Sequence, residues 1–359
     1  MTIAFFIAGL FLLIVGAEAL VRGASRIATK LGISPLIIGL TVVSFGTSSP
    51  ELAVSIKAAL AVQANIALGN VIGSNIFNVL FILGLSAVIT PLIVAQQLIR
   101  IDVPLLIVVS GLAWLLGLDN AYSLLDGLIL VAGLCGYVVF LILQSRRERQ
   151  EVNAEYTAEF GGKRRADTWL INAGLIVGGL ILLVLGSRWL VESAITAARY
   201  FGVSELIVGL TIVAAGTSLP EVVTSVIASL RGERDIAVGN VVGSNLFNLL
   251  GVLGFAALVS PTAIEVSETI LRFDLPVMIA TALVCLPIFF SGGRISREEG
   301  LLLLGFYAAY TLYLIFAASH HAALSGYRVA MLYFVLPLTG VTLVAIALRQ
   351  IHRHRGDRA

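Results

Sequence analysis

The stretch Gly39-Leu40-Thr41-Val42-Val43-Ser44-Phe45-Gly46-Thr47-Ser48-Ser49-Pro50-Glu51 lies within a long apolar segment, yet it carries hydroxyls, a proline and a carboxylic acid. An ionisable side chain in such a segment is costly and marks a functional site. The stretch returns 170 residues later as Gly209-Leu210-Thr211-Ile212-Val213-Ala214-Ala215-Gly216-Thr217-Ser218-Leu219-Pro220-Glu221, with nine of thirteen positions identical. The same offset relates Gly69-Asn70-Val71-Ile72-Gly73-Ser74-Asn75-Ile76-Phe77-Asn78 to Gly239-Asn240-Val241-Val242-Gly243-Ser244-Asn245-Leu246-Phe247-Asn248. A packed core does not need two copies of Thr-Ser-x-Pro-Glu. A binding site at the interface between two repeats does.

Composition places this interface in a membrane. The chain is 58% hydrophobic and 12% charged, whereas a soluble domain carries about 25% charged residues. The mean hydropathy is +1.01. Apolar runs of roughly 20 residues suffice to cross a hydrocarbon core of about 30 Å. Candidate spans lie near 3–21, 36–62, 66–89, 103–118, 122–143, 169–191, 203–230, 236–259, 274–290, 300–318 and 329–348. The first run has no basic segment before it and reads as a span rather than a cleaved signal. The basic residues fall between the apolar runs, so the net charge of +2 does not point to nucleic acid. No nucleotide-binding motif is present either. Cys135 and Cys285 both fall in spans and read as buried, inert thiols.

Lysine and arginine set the expected orientation. With the N-terminus outside, the inner loops and tail hold Arg22, Arg26, Lys30, Arg100, Arg146, Arg231 and the arginines of the tail, while the outer side holds Arg188, Arg199, Arg272 and Arg328. This orientation puts the C-terminus in the cytoplasm; the expected location is the plasma membrane. Arg100-Ile101-Asp102-Val103-Pro104 and Arg272-Phe273-Asp274-Leu275-Pro276 extend the repeat to five spans per copy. Five is odd, so the second copy enters the membrane from the opposite side and the halves are inverted. The expected organisation is all-α: a first five-helix repeat at 1–145, a flexible cytoplasmic linker at 146–168, a second inverted repeat at 169–320, and an extra span with a basic tail at 321–359. In the linker Glu148, Glu151, Glu155 and Glu159 alternate with arginines, unlike a clustered ion-binding loop.

The repeated stretches supply oxygen ligands. Pro50 lacks an N–H and clashes with the carbonyl of Gly46, so the helix should break or kink between them. Broken backbone survives in lipid only where it faces protein or a watery cavity. Carbonyls near Ser44 are then freed, beside the hydroxyls of Thr47 and Ser48 and the charge of Glu51. Ala214, Thr217, Ser218 and Glu221 repeat the set. Ser74 and Asn78 share one helix face, as do Ser244 and Asn248. Carboxylate, hydroxyl, amide and carbonyl oxygens suit Ca²⁺ and Na⁺, whereas zinc prefers nitrogen or sulfur. The charge on two glutamates is balanced by one Ca²⁺, by two Na⁺ or by two protons. A site satisfied by these in turn is the basis of an antiporter.

These residues resemble the α-repeats of the cation/calcium exchanger superfamily, and their pattern is closest to prokaryotic sodium/calcium exchangers. Gly-Thr-Ser-x-Pro-Glu followed by Gly-Asn-x-x-Gly-Ser-Asn-x-x-Asn, present twice, carries the resemblance over roughly residues 1–320. It implies ten core helices, discontinuous second and seventh helices meeting at the membrane midplane, and sliding of the first and sixth helices. It implies Ca²⁺ export in exchange for Na⁺, with no cofactor and no enzymatic step. The ion ligands it implies are Thr47, Ser48, Glu51, Ser74, Asn78, Thr217, Ser218, Glu221, Ser244 and Asn248, with the carbonyls of Ser44 and Ala214. Many sodium/calcium exchangers have an aspartate at one of the positions matching Asn78 and Asn248. The absence of that third acid leaves H⁺ as the alternative counter-ion.

A channel would instead use a ring of ligands about an open pore. A hydrolase would need a base, and all four histidines lie outside the repeated stretches. Glu18 with Arg22, and Arg188 with Glu192, read as local ion pairs or interfacial anchors. Asp102 and Asp274 read as helix N-terminal residues. Lys57 is expected to point outward, away from Glu51.

Overall fold

The computed structural model describes residues 2–159, 169–201, 214–290, 292–319, 321–331, 333 and 340, without the side chains of 147–159 and Ala214. Residues Gly209–Val213, most of the expected eleventh span, the tail, and His320, His352 and His354 lie outside the described residues.

The architecture is helical. Helix α1 spans Thr2–Leu31, followed by α2 (Pro35–Thr47) and α3 (Ser49–Leu60), which meet at a 45° bend. Then come α4 (Ala64–Ile89), α5 (Leu98–Asp119) and α6 (Leu124–Glu159). The second half runs through α7 (Trp169–Tyr200), the short turn α8 (Ala214–Gly216), α9 (Leu219–Leu230), α10 (Arg234–Val259), α11 (Ile270–Phe290) and α12 (Arg297–Ala318). A short helix, α13 (Leu324–Ala330), follows. Among the described residues eight helices are long and apolar enough to cross a membrane, and the bent pair α2–α3 makes a ninth. The two spans expected to be short, 103–118 and 274–290, are each extended by a preceding π-helical turn, Leu98–Asp102 and Ile270–Asp274.

Burial sorts the helices. The best apolar window of α10 is 89% buried and that of α4 is 72% buried, whereas those of α1 and α7 are 28% and 33%. Helices α4 and α10 therefore form the centre, flanked by the bent helices, and α1 packs with α7 on one flank. That flank is seamed by glycine at heptad spacing. A Cβ on Gly9 would lie 2.8 Å from the Gly186 carbonyl oxygen, and one on Gly16 would lie 2.8 Å from that of Gly179. With no hydrophobic drive between helices in lipid, such backbone contact supplies the packing energy.

Two short antiparallel ladders join the halves. Leu92–Ile93 (β1) pairs with Arg294–Ile295 (β4), and Ala121–Tyr122 (β2) pairs with Ile264–Glu265 (β3). Paired strands must lie on the same membrane face. The inverted repeat meets this condition, because it separates the partners by an even number of crossings.

Several expectations are corrected. The segment read as a flexible linker is helical through Glu159, because residues 145–159 contain neither glycine nor proline and are rich in helix formers. Cys135 is exposed on its helix rather than buried, while Cys285 is buried as expected. Asp102 and Asp274 lie near the N-terminal ends of α5 and α11, as expected, but one turn inside them, and Asp102 makes no capping hydrogen bond. They accept hydrogen bonds from Tyr137 and Tyr310, each at 3.1 Å. Glu18 does pair with Arg22, at 2.5 Å, but it also pairs with Arg231 at 2.6 Å. No ion pair forms between Arg188 and Glu192.

Candidate cation site

Pro50 and Pro220 stand in the first turns of α3 and α9, where a missing N–H costs nothing. The residues before these helices, Ser48 and Ser218, adopt φ/ψ of −80/8° and −88/8°. At Ser48 the chain therefore bends, by 45° between α2 and α3, instead of unwinding. This preserves a bond the sequence reading treated as lost: the Ser44 carbonyl accepts the Ser48 N–H at 3.0 Å. It also accepts the Thr47 hydroxyl at 3.3 Å, so it is not a freed carbonyl. Ala214 begins the turn α8.

The two bends meet at the centre. Glu51 and Glu221 are 1% and 0% exposed. Each is held by a serine from the opposite half: Ser218 Oγ donates to Glu51 Oε1 at 2.7 Å, and Ser48 Oγ donates to Glu221 Oε1 at 2.9 Å. Ser218 also lies 3.2 Å from Ser74 Oγ. Ser44, Thr47, Ser74, Asn78, Ser244 and Asn248 are buried around them. Thr217 is half-buried and, with Ser49, Pro50, Arg188, Glu192 and Gly216, lines a cavity of 330 Å³. Lys57 is exposed and unpaired with Glu51, as expected.

The helices that face the acids widen where their ligands stand. A π-helical turn begins at Asn78 in α4 and another at Asn248 in α10. Such turns recur at functional sites because they rotate side chains out of helical register. Asn78 Nδ2 donates to Asn245 Oδ1 at 2.9 Å. The side chain of Asn248 has no hydrogen-bond partner among the described residues.

The unsatisfied atoms define the chemistry. Glu51 Oε2, Glu221 Oε2, Asn78 Oδ1, Asn248 Oδ1 and Ser244 Oγ are buried without a hydrogen-bond partner. Leaving such groups unpaired costs about 1–3 kcal/mol each, and more for charged ones. They are hard oxygen donors from both halves, which is the ligand chemistry of Ca²⁺ and Na⁺. Asn70, Asn75 and their mates Asn240 and Asn245 stand in the repeated stretches but not in the expected ligand set, and Ser55 and its mate Ser225 lie outside both. All of them recur at the 170-residue offset that located the site, and Asn70 and Asn240 hydrogen-bond directly to the glutamate segments.

A family model described as sodium/calcium exchanger protein matches residues 1–143 and 171–316. The chain belongs to the sodium/calcium exchanger family. CaxA of Alkalimonas amylolytica is 40% identical over 319 residues, covering 88% of this chain and 98% of that protein. The sodium/calcium exchanger MaX1 of Methanosarcina acetivorans is 33% identical, covering 86% and 97%. A solved structure of the sodium-calcium exchanger NCX_Mj, soaked with Na⁺ and Sr²⁺, superposes with a TM-score of 0.73 at 29% identity, covering 89% of this chain and 98% of that one. The exchanger fold of two inverted helical repeats is therefore the fold of this chain. The exchanger is a multi-pass membrane antiporter of the cation/Ca²⁺ class and not an enzyme.

Proposed function

We propose that the protein exchanges Ca²⁺ for Na⁺ across the plasma membrane by alternating access, with Glu51 and Glu221 as the charged ligands at a midplane site. One observation carries this reading: two buried glutamates from opposite halves are each anchored through one oxygen by the other half's serine, leaving Oε2 unpartnered. Thr47, Ser48, Ser74, Asn78, Thr217, Ser218, Ser244 and Asn248 complete the side-chain ligands; the Ala214 carbonyl joins them, and the Ser44 carbonyl, which keeps its bond from the Ser48 N–H, joins through its second lone pair when Thr47 donates to Asn240. A buried pair of carboxylates is tolerable only when neutralised. The site therefore crosses the membrane loaded with one Ca²⁺ or with monovalent cations, and not empty and charged. The repeats run over 1–145 and 169–320, with the N-terminus outside and the C-terminus in the cytoplasm.

The similarity to proteins named as sodium/calcium exchangers supports Na⁺ as the counter-ion. The amides at Asn78 and Asn248 support a second reading, exchange of Ca²⁺ for protons on the same two acids. Uptake of ⁴⁵Ca²⁺ into proteoliposomes separates the two. Uptake that requires internal Na⁺ establishes sodium exchange. Uptake driven by a proton gradient without Na⁺ would replace it with proton exchange.

A further inference from the structure

We propose that Asn70 and Asn240 are positioning residues: each orients the hydroxyl of the opposite repeat's threonine, Thr217 and Thr47, so that its oxygen faces the transported cation. The inference rests on the cation site proposed at Glu51 and Glu221.

Asn70 lies on α4 one turn before Ser74. Its Nδ2 donates to the Glu51 carbonyl at 3.0 Å and to Ser55 Oγ at 2.8 Å. Both amide hydrogens are thereby used, which fixes which end of the carboxamide is oxygen. That oxygen accepts the Thr217 hydroxyl at 3.3 Å. Asn240 repeats the arrangement. Its Nδ2 donates to the Glu221 carbonyl at 3.5 Å and to Ser225 Oγ at 2.9 Å, and its Oδ1 accepts from Thr47 at 3.1 Å. Each asparagine thus grips the acid-bearing helix of its own half and the bend of the other.

The chemistry requires a carboxamide. A threonine hydroxyl has one hydrogen and two lone pairs. A cation needs the lone pairs, and a hydrogen turned toward it would repel it. Asparagine Oδ1 takes the hydrogen away from the site. At Thr47 the same hydrogen has a second acceptor, the Ser44 carbonyl at 3.3 Å. It can serve one acceptor well at a time, so donation to Asn240 also relieves the Ser44 oxygen. Aspartate could accept from the threonine but could not donate to the glutamate carbonyl, and alanine can do neither. Because each clamp crosses between repeats, a shift of one bend relative to the other would release a ligand oxygen in the site.

The test is Ca²⁺ uptake by the full-length protein in proteoliposomes, comparing Asn70→Ala, Thr217→Val and the double variant, with Asn240→Ala and Thr47→Val as the second pair. Each single change is expected to raise the half-saturating Ca²⁺ concentration about fivefold, the scale of one hydrogen bond. Each double variant should be no weaker than its weaker single, since both changes remove one unit. Effects that multiply, to about 25-fold, would overturn the proposal. Thr217→Ser keeps the hydroxyl and should retain the original half-saturation. Equal weakening by Ser and Val would also overturn it, and this comparison decides the matter if the alanine variants do not fold. Failure of the unaltered protein to take up Ca²⁺ would instead overturn the transport reading on which the inference rests.

Discussion

The centre of the molecule and its flanks treat the repeat differently. At the centre the contacts come in mated sets: Ser48 to Glu221 and Ser218 to Glu51, Thr47 to Asn240 and Thr217 to Asn70. On the flanks the mates diverge. Glu18 pairs with Arg22 and Arg231, and Ser25 donates to Glu233 at 2.5 Å, tying α1 to the turn between α9 and α10. The repeat mates of Glu18 and Arg22 are Arg188 and Glu192. These form no ion pair with each other and line the cavity that reaches Thr217. Thr47, the mate of Thr217, is 1% exposed. A site that must present the same ligands to both sides of a membrane gains from a symmetric centre. We expect the unlike contacts on the flanks to decide which side is open.

The strongest way to break this comparison is to test the symmetry of the centre. Glu51→Gln and Glu221→Gln should each reduce ⁴⁵Ca²⁺ uptake to the level of empty liposomes. Uptake retained by one of them would mean that the two acids are not equivalent and that the paired site is wrong. Next comes the glycine seam, where flank helices are symmetric in packing. Gly16→Ala and its mate Gly186→Ala place a methyl carbon 2.8 Å and 2.7 Å from facing carbonyl oxygens. Each should cost about 1–3 kcal/mol through overpacking and lower the thermal midpoint in detergent by similar amounts.

A third prediction sharpens the comparison inside the centre, where one pair of mates differs. Asn78 donates to Asn245, while Asn248 has no partner among the described residues. Asn248→Asp should therefore add charge without breaking a bond, raising cation affinity or altering the Na⁺ dependence of uptake. Asn78→Asp should gain less, because it sacrifices a donor. Unchanged Na⁺ and Ca²⁺ dependence in Asn248→Asp would remove Asn248 from the ligand set. The smallest effect is expected at the flank latch. Exposed ion pairs contribute about 0–1 kcal/mol, so Arg231→Ala should shift the balance of states by no more than about fivefold. Labelling of Val184→Cys, in the cavity beside Thr217, by a membrane-impermeant thiol reagent should slow accordingly. An unchanged or faster rate would show that the Glu18–Arg231 contact does not hold the closed flank.

Much of this protein was legible in the chain itself. The duplicated Thr-Ser-x-Pro-Glu, the odd number of spans per copy and the oxygen-only ligand types were enough to expect inverted repeats around a hard-cation site. These features depend on local order and composition, which a sequence states directly: a proline removes its own N–H, and a glutamate in an apolar run demands a partner. Other features lay beyond it. The bend at Ser48 keeps the Ser44 carbonyl bonded because the chain stays near helical geometry, a matter of two torsion angles. Asp102 and Asp274 read as helix N-terminal residues, but that their helices begin one turn earlier, and that tyrosines hold them, only the fold showed. Above all, the sequence could not say that Ser48 serves Glu221 rather than Glu51, or that Asn70 reaches Thr217. Those bonds span 173 and 147 residues. They exist because the inverted halves bring the two bends together at the centre, a relation between distant helices that no local stretch of either copy contains.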